Sequence, residues 1–186
     1  VLHGRGDSLR PFRRFDEELK VPGLNYLLLN APRKYDTGFT WYGFPPNQGP
    51  GVLKARKKLM LMMKELEAQG WASSDIFFLG FSQGALVSSD FIQRFSKPLA
   101  GVICISGYVY FFKNWRREIV RQAYKTPWLM THGNQDDALE LEETRRDHAR
   151  LTTAGLKPQW VEFKKGHEIE GRKEIPYLRS WILKRM

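Results

Sequence analysis

The sequence predicts an α/β fold, a mostly parallel sheet with helices on both faces. Three observations predict it. Apolar runs and amphipathic helical runs take turns along the chain, the order that parallel strands and crossover helices produce. Residues 24–30 and 76–79 are short apolar runs that read as buried strands. Gly70 and Gly155 each stand at the end of a helical run, where a left-handed cap is needed.

Taken in order, Val1-Leu2-His3-Gly4 reads as the last residues of a strand entering a loop, with the strand body expected upstream. Ser8 can cap a helix running to Leu19, with Phe12, Phe15 and Leu19 on one face. Residues 31–51 form a long loop rich in glycine, proline and aromatics; a loop of about 20 residues in a domain is usually functional or mobile. Residues 52–69 are a helix, 84–95 a second helix and 99–106 a strand. A basic amphipathic segment, 113–124, precedes a strand at 128–131. Residues 138–154 are a helix, 159–163 the last strand and 174–184 a terminal helix. Pro176 is tolerated there because it falls in the first turn. One domain spanning residues 1–186 is expected from this length.

Composition excludes several classes. Hydrophobic residues make up 42%, enough for a packed core. No apolar stretch approaches the ~20 residues of a membrane span. The one cysteine, Cys104, lies in the run Val102-Ile103-Cys104-Ile105 and is expected to be a buried, inert thiol. Nothing points to an oxidising compartment, so a cytoplasmic setting is expected. The net charge is +10, from 30 basic and 20 acidic residues. The basic residues are spread along the chain as solvated helix faces, so no nucleic-acid partner is expected. No metal-ligand spacing or dinucleotide fingerprint occurs, and neither metal nor cofactor is expected.

The informative stretch is Gly80-Phe81-Ser82-Gln83-Gly84, a Gly-x-Ser-x-Gly between an apolar run and a helical run. In that context the chain turns sharply from strand to helix with the serine at the apex. The two glycines let strand and helix draw close. The hydroxyl then stands at a helix amino end, where free N–H groups favour developing negative charge.

A serine needs a base to accept its proton. Among four histidines, His148 is expected on a surface, and His3 and His132 each precede a glycine at the end of an apolar run. His167 lies in the loop between the last strand and the last helix, at a strand's carboxyl end, where ligands of parallel sheets bind. The acid should follow a strand and precede the histidine. Asp136 is the choice, with Asp137 as rival; either is also a candidate cap for the helix near Ala138. One oxyanion donor is the Gln83 N–H. The second is expected from the loop His3-Gly4-Arg5-Gly6-Asp7. The aromatic group Phe39, Trp41, Tyr42 and Phe44 either lines an acyl pocket or packs the long loop.

Leu2-His3-Gly4-Arg5-Gly6-Asp7, Asn30-Ala31-Pro32, Trp41-Tyr42, the serine motif, His132-Gly133 with Asp136, and Gly166-His167-Glu168 occur in this order. With them the chain resembles the phospholipase/carboxylesterase family of α/β-hydrolases, which includes the acyl-protein thioesterases. The resemblance implies an α/β-hydrolase fold with a minimal lid and cleavage of carboxylic esters or thioesters through an acyl-enzyme. It implies the triad Ser82, Asp136 and His167, with the Arg5 N–H as second oxyanion donor. His3 and His132 then become structural members of their turns. Two departures stand out. Arg5 replaces a usually apolar residue, and the loop between Pro32 and Trp41 is shorter. Both argue against long-chain lipidated protein substrates.

A small ester or thioester is therefore the expected substrate, and Trp41, Tyr42 and Phe39 are the expected substrate-binding residues. Arg5, with Arg33 and Lys34, suggests acyl groups bearing a carboxylate. The alternatives are a catalytically silent hydrolase-fold binding protein and a membrane-surface lysophospholipase using the Met60, Met62, Met63 helix. A monomer and a homodimer both remain open.

Overall fold

The computed structural model describes residues 1–186. A 3-10 turn, Arg10–Arg14, runs into the short helix α1 (Phe15–Leu19). Inside the long loop lies an antiparallel hairpin, β1 (Arg33–Tyr35) and β2 (Gly38–Thr40). There follow α2 (Gly49–Ala68), β3 (Phe77–Phe81), α3 (Gln83–Ile92) and β4 (Gly101–Ile105). The chain ends with β5 (Trp128–Gly133), α4 (Leu141–Thr153), β6 (Gln159–Phe163) and α5 (Glu174–Leu183).

β3, β4, β5 and β6 form a parallel sheet in that order. Val1 and Leu2 extend it past β3. The Leu2 N–H donates to Leu79 O at 2.8 Å, and the Phe81 N–H donates to Leu2 O at 3.0 Å. On the far side Leu2 bridges to Leu29.

Each strand sends alternate side chains to opposite faces. On one face Val102 and Cys104 meet Ala55, Leu59 and Met63 of α2 and Leu86 and Phe91 of α3. On the other, Ile103 and Ile105 meet Phe15 and Leu19 of α1 and Leu178, Trp181 and Ile182 of α5. Each such buried side chain contributes about 1.5–3 kcal/mol of apolar transfer. Burial also pushes the Cys104 thiol up to about 12, so it is inert at neutral pH. Across α2 and α3, Arg56 grips Asp90 in two bonds of 2.7 and 2.8 Å. That planar fork sets the register of the two helices. No helix is long and apolar enough to cross a membrane.

Several expected elements change form. Residues 24–30 are not a buried strand: only Leu29 bridges, and Leu27 is 45% exposed. The helix expected from Ser8 is split into the 3-10 turn Arg10–Arg14 and α1, and Ser8 is not its N-cap; Phe12, Phe15 and Leu19 are nonetheless buried together. The basic segment forms two 3-10 turns, Trp115–Glu118 and Arg121–Tyr124. α4 starts at Leu141 rather than Ala138, because the Asp136 side chain takes the Ala138 and Leu139 N–H groups at 3.0 and 2.9 Å. Such local bonds compete with helix formation.

The crossing of β3 and α3 has no room for a side chain. A Cβ on Gly80 would stand 2.2 Å from Gly84 O, and one on Gly84 would stand 2.2 Å from Leu2 O. Gly80→Ala is expected to lower unfolding free energy by about 3 kcal/mol. Urea unfolding of the variant measures this, and an unchanged midpoint would refute the packing argument.

Candidate active site

Ser82 occupies the single residue between β3 and α3, at φ 53° and ψ −114°. A non-glycine residue there carries about 1–3 kcal/mol of strain and persists only when its surroundings over-determine it. Here the Ser82 N–H donates to Ile105 O at 2.9 Å, and Ser82 O accepts from the Ala85 and Leu86 N–H groups at 3.0 and 3.2 Å. Gly107 closes over the turn, where a Cβ would stand 2.4 Å from that of Ala85.

The loops after β5 and β6 bring their side chains to this turn. Ser82 Oγ–H donates to His167 Nε2 at 3.0 Å. His167 Nδ1 faces Asp136 Oδ2 at 2.8 Å. An ionised carboxylate only accepts, so Nδ1 carries the hydrogen and Nε2 is left to accept from the serine. The Asp136 side chain is fully buried, while that of His167 is 21% exposed. Burial alone would raise the Asp136 pKa. Hydrogen bonds from His167 and from the Leu139 and Ala138 N–H groups outweigh it and hold the carboxyl below its usual range. One oxygen thus shapes the loop while the other orients the imidazole. Asp137 is exposed and takes no part; neither aspartate caps α4, whose N-cap is Glu140.

The other histidines are bound to backbone. His3 Nδ1–H donates to Gly4 O at 2.6 Å and its Nε2 accepts the Ala31 N–H at 3.0 Å. His132 is wholly buried beneath Asp136, and its Nε2–H donates to Leu139 O at 3.0 Å. Burial lowers its pKa, so it is neutral at pH 7. His148, expected at the surface, is half-buried against Trp160 and donates to Pro158 O at 2.9 Å.

Gln83 holds the long loop against the site. Its Oε1 accepts from Thr40 Oγ1 and the Trp41 N–H at 2.9 and 3.0 Å, and its Nε2 donates to Tyr42 O at 3.1 Å. Trp41 Nε1–H donates to His3 O at 2.9 Å. Trp41 and Tyr42, expected to bind substrate, are each 1% exposed and form the wall behind the site. The Trp41 N–H and indole N–H and the Tyr42 carbonyl are spent on fixing the loop, while Tyr42 Oη bonds Tyr108 Oη. Phe39 is half-buried in β2, where its backbone bonds Gly6 and Asp7 at 2.9 and 2.8 Å. The cavity in front of Ser82, about 300 Å³, is instead lined by Arg5, Gln83, Tyr108, Leu139 and His167. The Arg5 N–H has no acceptor within the protein, and Gln83, as first residue of α3, has no preceding helical carbonyl to bond. A larger cavity of about 550 Å³ lies between residues 24–29, β3 and the carboxyl end. Its walls are mainly apolar and it contains neither Ser82 nor His167, so it has no means for the chemistry.

A residue with no sequence signal anchors the histidine. Lys165 Nζ is buried and donates to Glu174 Oε1 and Oε2 at 2.8 and 2.7 Å and to Glu168 O at 2.7 Å. Glu174 also accepts from Thr131 Oγ1 at 2.6 Å and the Glu170 N–H at 2.9 Å. This ties the His167 loop to β5 and to the start of α5. In the sequence Lys165 is one of two adjacent lysines, and nothing distinguishes the inward one. Lys165→Met leaves the Glu174 carboxylate buried and unpaired, and is expected to cost about 3–5 kcal/mol of stability. Chemical denaturation checks it; a loss under about 1 kcal/mol would mean that the pair does not hold the loop.

Known proteins share this fold. The carboxylesterase SOBER1 of Arabidopsis thaliana is 27% identical over 203 residues, covering 100% of this chain and 89% of that protein. Its crystal structure superposes with a TM-score of 0.91, covering 99% of this chain and 96% of that one. A rice protein (Oryza sativa subsp. japonica) named probable carboxylesterase is 31% identical over 199 residues, 97% of this chain and 74% of its own. Another rice protein, named probable inactive carboxylesterase, is 28% identical over 134 residues, 72% of this chain and 54% of its own. The family model described as Phospholipase/Carboxylesterase matches residues 1–182. The fold is that of the α/β-hydrolases, and the chain belongs to the phospholipase/carboxylesterase family.

Proposed function

We propose that this hydrolase is a serine carboxylesterase acting on small carboxylic esters or thioesters through an acyl-enzyme. The observation that carries the reading is the unbroken hydrogen-bond chain from Ser82 Oγ to His167 Nε2 and from His167 Nδ1 to Asp136 Oδ2, at 3.0 and 2.8 Å. As Ser82 Oγ attacks the carbonyl carbon, His167 takes its proton and Asp136 stabilises the imidazolium. The carbonyl oxygen becomes an oxyanion facing the Arg5 and Gln83 N–H groups. Donors already fixed in place stabilise that charge without reorganising. His167 then protonates the leaving oxygen or sulfur. In the second half it removes a proton from water, which attacks the acyl-enzyme and releases the acid. The tilted Phe81 ring, 5.0 Å from that of His167, packs against one side of the imidazole.

A catalytically silent binding protein is the competing reading, favoured by the relative whose name calls it inactive. The connected serine, histidine and aspartate of this chain favour the enzyme.

Ser82→Ala is expected to lower kcat on nitrophenyl acetate by about 10⁶-fold, and Asp136→Asn by about 10⁴-fold through the wrong histidine tautomer. Circular dichroism should report an unchanged fold in both. A fluorophosphonate should label the unmodified protein at Ser82. Absence of labelling, or full turnover by Ser82→Ala, would favour the silent reading.

A further inference from the structure

We propose that Arg5 is a specificity residue whose guanidinium selects esters with a carboxylate on the acyl part. The proposal rests on the esterase reading and adds its substrate class.

Arg5 lines the same cavity as Ser82 and His167. Its guanidinium lies over the Phe44 ring, with Cζ 3.7 Å from the centroid. That stacking fixes the group in place and leaves its charge uncancelled. No Asp or Glu oxygen lies within 4.0 Å of it, whereas Arg56, Arg94 and Arg145 each have carboxylate partners. Asp7, on the same cavity wall, is engaged by the Ser8 N–H at 2.7 Å. The Arg5 Nε–H is buried and has no acceptor. An oriented guanidinium with no carboxylate partner matches a planar carboxylate, whose two oxygens accept side by side from its terminal N–H groups. Tyr108 Oη, 3.3 Å from Tyr42 Oη and within reach of the Arg5 charge, offers a further donor at the same wall.

The site's polarity assigns the anion to the acyl part. The leaving oxygen must face His167 Nε2, on the side of the Phe81 ring and the Asp136 loop. Arg5 packs instead on Phe44 and influences Tyr42 and Tyr108. A cavity of about 300 Å³ suits a short chain ending in a carboxylate. Long alkyl chains would place methylenes against the charge.

The test compares nitrophenyl hydrogen adipate with nitrophenyl hexanoate, which share a leaving group and a chain length. The unmodified protein is expected to favour the anionic ester in kcat/KM by about tenfold. Arg5→Leu should abolish the preference and Arg5→Lys should keep part of it; reading the ratio cancels any general loss from disturbing the loop. Raising salt should shrink the preference in the unmodified protein, whatever the variants do. The same ratio in the unmodified protein and in Arg5→Leu, or a preference for the neutral ester, overturns the proposal. So does a preference found only when the carboxylate is placed on the leaving group. Binding of monomethyl adipate over methyl hexanoate to Ser82→Ala, by calorimetry, separates the two readings. Tighter binding of the anion without turnover by the unmodified protein would sink the esterase and keep the anion site. Turnover with no discrimination would do the reverse.

Discussion

The backbone at Ser82 depends on how closely β3, α3 and the Val1–Gly4 segment approach one another. These three segments and the turn after β4 meet where Gly80, Gly84 and Gly107 have no space for a Cβ. That contact holds Ser82 in a conformation that an isolated chain would leave at once. The same contact sets Gln83 at the amino end of α3 and brings Arg5 beside it. Ser82, the free N–H groups and the Arg5 charge therefore share one mechanical origin. A shift of the helix by a fraction of an ångström would move all three.

The histidine is held by a separate device. The loops after β5 and β6 are joined by the Asn134 N–H to Phe163 O bond at 2.9 Å and the Gln135 N–H to Lys165 O bond at 3.0 Å. Beneath them the Lys165–Glu174 pair is buried with its hydrogen bonds filled. Buried charges are costly unless satisfied in this way. Their value here lies in geometry, since an imidazole in a loop needs a fixed floor to point one nitrogen at a hydroxyl. Asp136 shows the same economy of parts: one oxygen builds its own loop and the other orients the ring.

Aromatic residues near the site serve two different ends. Trp41 and Tyr42 are interior, tied by Gln83 and His3. Phe44 is 55% exposed and carries the Arg5 guanidinium. The cavity lining therefore combines the charged Arg5 and the hydroxylated Tyr108 with the apolar Phe81 and Leu139.

The fold class and the serine turn were legible in the sequence, because each is written in local patterns. Apolar runs name the strands, and glycines at fixed offsets name the turn. His167 and Asp136 were legible from their places after strands, as residues that the shared chain order assigns. The limits appeared where a local pattern had two tertiary outcomes. Residues 24–30 carry a strand's apolarity, yet only Leu29 bridges to a neighbouring segment. The adjacent residues Lys164 and Lys165 are alike in sequence, yet one is exposed and the other is buried against Glu174. Trp41 and Tyr42 looked like pocket residues and became framework once Gln83 reached them across about 40 positions of chain. Local chemistry determined what each segment could form; burial and hydrogen bonds between distant segments decided which residues lined the cavity, because only packing chooses between core and cavity.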